Sequence, residues 1–235
     1  MTKIVSKRSN ALFGLGTAAI GWSKLAAPDE KYGKFSLDYP TEALTSSRVL
    51  PKVDAEIKRV VAEVREELEA EYAKDKKLEL EITTVVDSIE SWLEDAERTA
   101  DEDYRVDNID TYVRLQLENK KGVAKKTGKP YDIRPKVYQR GSNKPMAKED
   151  VPNLAPGSKV RPIIQVGAYS PAPQRKSDPR VILVSVKLAG VGLVDIREMG
   201  GNKAPSDLWA DMDDDDDVVG NATTGSDPDF DNDDF

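Results

Sequence analysis

Two groups of residues in this chain have types and spacings that could do chemistry. The first is cationic. Asn119 to Lys148 holds ten Lys or Arg, among them Lys120, Lys121, Lys125, Lys126, Lys129 and Arg140, against one acid, Asp132, for a net charge of +9. Aromatics are interleaved with this charge: Tyr112 ahead of it, Tyr131 and Tyr138 inside it, Tyr169 further on. Cations that follow phosphates, together with ring faces that stack bases, are the combination that binds single-stranded nucleic acid without regard to sequence, at ~1–3 kcal/mol per stacked base. One Tyr on a strand is more often core or rim, and one Lys is more often simply solvated. The cluster says more than any member of it.

The second group is the acidic end. Asp207 to Phe235 carries twelve Asp with no Glu, Lys or Arg, including the run Asp213 to Asp217. The chain has 35 Lys and Arg against 43 Asp and Glu, so the residues ahead of Asp207 carry 35 against 31, a net +4. An acidic pI thus conceals a mildly basic body with an acidic appendage. Such runs repel themselves and bury little apolar surface, which predicts a disordered tail over 207–235. The plain reading is a solubilising tail. Against it stand the density of the five-Asp run and the placement of Phe230 and Phe235 among Asp residues. Phe235, beside Asp231, Asp233 and Asp234, offers a ring and an α-carboxylate on one residue. That pair suits an apolar pocket rimmed by Lys or Arg, with the Asp residues steering the approach. Opposite charge on body and tail also lets the tail compete for a cationic site.

Several functions are hard to assemble. The chain has no Cys and no His, which removes disulfides, thiol nucleophiles, imidazole catalysis and His or Cys metal sites. Gly14-Leu15-Gly16 lacks the strand, helix and third Gly of a dinucleotide fingerprint, and no phosphate-loop GK[ST] occurs. The Asp run has no Glu to end a calcium loop. Asp38 and Asp195 are isolated candidates for a carboxylate-metal nuclease. No cofactor or metal is expected. Lys3, Lys7 and Arg8 ahead of Ala11 to Trp22 mimic a secretory signal, but Gly14, Gly16 and Gly21 interrupt the run and no strong Leu/Ile/Val block follows. No stretch approaches the ~20 apolar residues of a membrane helix.

The elements that must position these residues are mostly strands. Residues 1–206 read as one folded domain, ahead of the tail at 207–235. Tyr32 to Tyr39 alternates, with Phe35, Leu37 and Tyr39 on one face. Pro51 opens a helix of about 25 residues, to about residue 76, with Val53, Ile57, Val60, Val64, Leu68 and Tyr72 on one stripe. Leu78 to Val86 suits a strand, and Asp87 to Asp103 a short helix or exposed loop. Tyr112 to Glu118 alternates, with Val113, Leu115 and Leu117 facing one way and Tyr112, Arg114 and Gln116 the other. The basic segment reads as a flexible turn leading into a strand, Ile133 to Arg140. Val160 to Tyr169 is a strand whose Pro162 indicates an edge or a bulge. Arg180 to Leu188 is apolar on both faces and should be central or covered, and Gly190 to Ile196 adds another apolar stretch. Five or six short strands with one long helix fit a mainly β fold, a small closed or partly open antiparallel barrel.

The order of these segments resembles the replication single-stranded DNA-binding proteins of short-tailed (T-odd, podophage-type) bacteriophages. The resemblance runs nearly end to end: GTAAIGWSKLAAPD, YGKFSLDYP, the Pro-started helix, LQLENKKGVAKKTGK, KEDVPNLAPGSKVRPIIQVGAY, VILVSVKLAGVGLVDI, a Gly-Gly stop, and an Asp-rich end closing on Asp-Phe. It implies an oligonucleotide-binding (OB) fold, a five-stranded barrel with an inserted helix. It also implies non-sequence-specific binding of single-stranded DNA in replication and recombination, strand protection and annealing, homodimerisation, and a place in the cytoplasm of an infected bacterial host. The acidic tail would recruit the phage DNA polymerase and helicase-primase. By position, Trp22 and Tyr169 match aromatics near the groove, Lys120 and Lys121 the paired Lys after the strand, and Phe235 the terminal Phe. Lys24 and Arg114 join the DNA-binding candidates. Three positions depart from the pattern: Ala27 stands where a Lys precedes the Pro-Asp pair, Arg114 replaces the strand aromatic, and YSPAPQ lacks the Trp expected after Tyr169. The competing readings are an acidic-tailed interaction protein, a chaperone or DNA mimic that binds no DNA, and the nuclease.

Overall fold

A computed structural model of the chain describes residues 4–73, 81–99, 111–123, 127, 129–173 and 178–197. Lys125, Lys126 and the acidic end with Asp231, Asp233, Asp234 and Phe235 lie outside them. The strands are β1 (Val5–Arg8), β2 (Phe13–Gly14), β3 (Ala18–Ala19), β4 (Ser23–Lys24), β5 (Lys34–Pro40), β6 (Ile82–Thr84), β7 (Tyr112–Glu118), β8 (Lys121–Val123), β9 (Pro130–Asp132), β10 (Lys136–Tyr138), β11 (Lys159–Ser170) and β12 (Arg180–Asp195). The helices are α1 (Thr41–Thr45), α2 (Leu50–Tyr72) and α3 (Ile89–Thr99). The protein is thus mainly β with one long helix. Among the described residues only β1, β5, β7, β11 and β12 exceed three residues, and these five carry the sheet.

Helix α2 forms where the apolar stripe sets it. Pro51 occupies the first turn, where its missing N–H costs nothing. Val53, Ile57, Val60, Val61, Val64, Leu68 and Tyr72 are buried. That face lies against β1, β11 and β12, and each fully buried aliphatic side chain contributes ~1.5–3 kcal/mol. The outer face is held by Arg59, which bridges Glu56 and Glu63 one turn away on either side. Glu56 also accepts a 2.5 Å hydrogen bond from the Ser9 hydroxyl, and Lys7 pairs with Glu67 at 2.6 Å, so the N-terminal segment is tied along the helix. The expected short helix or loop after β6 is helix α3, whose Ile89 N–H donates to Asp54 of α2 at 2.8 Å.

Strands β5 and β7 follow their alternation. Phe35, Leu37 and Tyr39 of β5 and Val113 and Leu115 of β7 are buried, and the Tyr39 hydroxyl donates to the Gly16 carbonyl at 2.7 Å. The two stretches expected at 180–188 and 190–196 are one strand, β12, because Gly190 continues the ladder rather than turning it. At Gly190 a Cβ would lie 2.7 Å from the Lys136 carbonyl oxygen, so only glycine lets β10 pair so closely. Pro162 is not on an edge strand. It sits inside β11 between two register irregularities, flanked by the short pairings to β2 and β3, and its carbonyl accepts from Leu15 N–H at 2.8 Å. The bulged ladder accommodates its missing donor.

The sheet order is β1-β11-β12-β7-β5-β4, with β2 and β3 on β11 and β6 and β10 on β12. Two expectations need correction. The sheet is mixed, since β6, β7 and β10 all pair parallel to β12. The ladder path is also open, so of the closed and partly open forms expected it is the closed one that is overturned. The physical reason is the length of β12, whose successive stretches serve different partners. The segment from Ala18 to Lys24 pairs first with β11 and then with β5, so it passes from one side of the open path to the other. The basic segment does not form one strand–turn–strand unit with β7 either. β8 and β9 make a separate two-stranded hairpin, and β10 then joins β12.

Candidate nucleic-acid interface

Alternation sends one set of side chains from the five main strands inward and the other set onto the opposite face of the sheet. On that outer face the register lines up one polar row. Gln165 of β11 is opposite Lys187 of β12, Lys187 opposite Gln116 of β7, Gln116 opposite Ser36 of β5, and Ser36 opposite Lys24 of β4. The row crosses four inter-strand steps, ~19 Å at the usual strand spacing. Parallel to it run Arg114 opposite Asp38, Glu118 opposite Lys34, and Arg8–Gly167–Ser185. Within the row Ser36 is buried and the Gln165 amide donates to the Ser9 carbonyl at 2.7 Å, which leaves Lys187, Gln116 and Lys24 as its more accessible members.

At one end of the face, Gly21 N–H donates to the Asp38 carbonyl while Asp38 N–H donates to that of Trp22, both at 2.9 Å. Two residues thus oppose one, the geometry of a β-bulge, which re-aims the side chains it carries. Trp22 is left 60% exposed. Gly21 lies beneath the Tyr112 ring, 3.5 Å from where a Cβ would sit. Arg114, one pleat on, is committed to Asp38 through Nε–Oδ1 at 2.6 Å and Nη2–Oδ2 at 2.9 Å, the two-point fork a planar guanidinium makes with a carboxylate. Asp38, 3% exposed, is therefore a buried ion-pair partner. The second nuclease candidate, Asp195, ends β12 opposite Lys159, on a different part of the sheet. Among the described residues no three acidic side chains gather to hold a metal.

At the other end, β1, β11 and β12 frame a recess of about 410 Å³ lined by Ser6, Lys7, Arg8, Tyr169, Ser185 and Lys187, among others. Burial pushes the Lys187 amine down to about 8, helped by Arg8 and Lys120 and opposed by Glu118. Burial also lowers Arg8. A half-buried Lys187 and an exposed Arg8 beside a Tyr ring suit an anion with an apolar portion.

The residues expected from sequence fall in three places. Trp22, Lys24, Tyr112 and Arg114 share the β4–β5–β7 end of the outer face, while Tyr169 borders the recess at the β1–β11–β12 end. Lys120, between β7 and β8, pairs with Glu118 at 3.5 Å. Lys121 and Tyr131 stand on the β8–β9 hairpin, where the Tyr131 ring covers Gly122, and exposed Lys129 directly precedes β9. Tyr138 lies on β10 over Gly190, and Arg140 is half-buried beyond it. Asp132, the one acid of the basic segment, is engaged by Arg134 at 2.8 Å and lies 3.9 Å from Lys148. Sequence reasoning missed Arg8, Lys34, Gln165 and Lys187. A signal for Lys187 existed: the face of β12 that begins with Val181 and Leu183 turns polar at Ser185 and Lys187.

No helix among the described residues is long and apolar enough to cross a membrane. No family model and no curated protein matches the chain. Among solved structures the chain is similar to the crystal structure of gp2.5, a single-stranded DNA binding protein encoded by bacteriophage T7, at 17% identity and a TM-score of 0.46, covering 84% of this chain and 92% of that one.

Proposed function

We propose that this protein binds single-stranded DNA without sequence specificity, on the outer face of its sheet, as a replication protein of the phage type that its segment order resembles. The observation that carries the reading is the in-register row from Gln165 through Lys187 to Lys24, with exposed Trp22 at one end and Tyr169 at the other. Cations and amides along such a row can follow a phosphate backbone, and rings at its ends can stack bases. The β8–β9 hairpin with Lys121, Lys129 and Tyr131 extends the basic surface beside it. We infer an OB-type barrel, in which the segment from Ala18 to Lys24 spans the gap between β11 and β5. Partner recruitment through Asp231, Asp233, Asp234 and Phe235, strand annealing and homodimerisation rest on the resemblance. The acidic tail, by charge, competes with DNA for the same cations.

Trp22→Ala tests the stacking part. A 60% exposed Trp contributes little to the core, so thermal stability should hold. Affinity for an oligo(dT) strand should fall by the worth of one stacked base, ~1–3 kcal/mol. Unchanged affinity would remove Trp22 from the site. A gel shift with labelled single-stranded oligonucleotide separates this reading from the acidic-tailed interaction protein, for which no shift is expected. Magnesium-dependent cleavage of the oligonucleotide would instead favour the nuclease.

A further inference from the structure

Resting on the proposed binding of single-stranded DNA, we propose that the recess between β1, β11 and β12 seats one nucleotide of the bound strand, its phosphate held by Arg8 and Lys187 and its base against Tyr169. The recess, about 410 Å³, falls within the range of small-ligand sites. Its two ends differ in chemistry as those of a nucleotide do. Tyr169, Pro171 and Ile4 supply the apolar wall; Arg8, Lys187, Ser6 and Ser185 supply cations and hydroxyls. Gly167 forms bare floor between them, where a Cβ would come within 3.0 Å of the Lys7 carbonyl oxygen and 3.2 Å of the Ser185 hydroxyl. A larger residue there would press on β1 and Ser185, so glycine is what lets β1 and β12 close around this side of the recess.

The charge is one-sided. Arg8 and Lys187 bring charge to the recess against a single acid, Glu118, while Lys7, which also lines it, spends its charge on Glu67 of α2. Long cationic side chains at a surface ordinarily extend to water. Here Lys187 is half-buried among β1, β11 and β12 while Arg8 is exposed beside it, so both can meet a phosphate entering the recess.

The groups acting on or beside Lys187 are Arg8 from β1, Tyr169 from β11, Glu118 from β7 and Lys120 beyond it; Lys7 of β1 directs its amine to Glu67 of α2. Burial, Arg8 and Lys120 together lower its pKa to about 8 against the pull of Glu118. A lowered amine is charged below that value and neutral above it. Its attraction for phosphate is therefore present at pH 7 and lost as pH rises through about 8. An ordinary exposed lysine amine, with a pKa of about 10.4, keeps its charge through that window.

The test is fluorescence anisotropy of labelled oligo(dT) with the full chain, comparing wild type, Lys187→Gln, Lys187→Arg and Lys121→Gln at pH 7 and pH 9 over a salt series. At pH 7, Lys187→Gln should lower the salt slope by about 0.7 and weaken binding about eightfold at ~50 mM salt, the effect of one lost phosphate contact on a single strand. The wild type should weaken by a similar factor between pH 7 and 9. Lys187→Arg should not weaken, and neither should Lys187→Gln beyond its pH 7 value. Lys121→Gln should keep the wild-type pH dependence. If the wild type binds while Lys187→Gln matches it in affinity and slope, the recess is not a subsite. The same holds if Lys187→Gln keeps the pH dependence. If the wild type does not bind oligo(dT) at all, the proposed function falls first and the subsite with it.

Discussion

Arg114→Ala lowers the melting temperature of this protein by roughly 10 °C. The residue looks from its alternating strand like a phosphate contact, but its guanidinium is forked onto Asp38. Removing it leaves a carboxylate 3% exposed with its cation gone. Breaking one half of a buried pair costs ~3–5 kcal/mol. The Arg114 side chain retains some exposure, which places the expected loss near the lower bound, ~3 kcal/mol. For a chain of this size each kcal/mol shifts the midpoint ~2–4 °C. Arg114→Lys should recover little of the loss, because an ammonium cannot make the two-point contact. Replacing Arg114 and Asp38 together by Leu should cost less than Arg114→Ala alone, since no orphaned charge remains. Calorimetry of the three variants checks this. A midpoint for Arg114→Ala within ~1 °C of wild type would mean that the pair is not structural and would return Arg114 to the list of DNA contacts.

Deleting 207–235 tightens binding to single-stranded DNA more than tenfold at ~50 mM salt and much less at ~500 mM, where screening shortens the reach of charge. The deletion removes twelve Asp and leaves a body of net charge +4. A −12 segment tethered to a cationic face competes with phosphate at high effective concentration, so its loss frees the site. The same deletion should abolish any recruitment of replication partners through Phe235. Equal or weaker affinity in the truncated chain would contradict the competition, whatever became of the partners.

Some of this architecture was legible in the sequence, for identifiable reasons. The α2 stripe and the alternation in β5 and β7 depend on local periodicity, and Val53 to Tyr72, Phe35, Leu37, Val113 and Leu115 are buried as their spacing requires. What depended on long-range register was not legible. Nothing local says that β12 runs unbroken through Gly190, or that Lys187 meets Gln116 in a parallel pairing while also facing Gln165. Arg8 was obscured by standing ahead of an apolar run that mimics a signal, yet β1 carries it to the recess. The basic stretch drew the eye because it is dense in sequence. The outer-face cations are spread over β1, β4, β5 and β12, so they are concentrated only in the fold. Arg114 shows the converse: a cation correctly placed on the outer face whose charge is committed to a neighbour that the sequence could not reveal.

The central claim is that the outer face binds single-stranded DNA through its cations. The most direct test is an anisotropy titration of the intact chain with ~20-nucleotide oligo(dT) from ~50 to ~500 mM salt. Saturable binding is predicted, with log affinity falling linearly in log salt at ~0.7 per phosphate contacted. No binding at the lowest salt, or binding insensitive to salt, would contradict it.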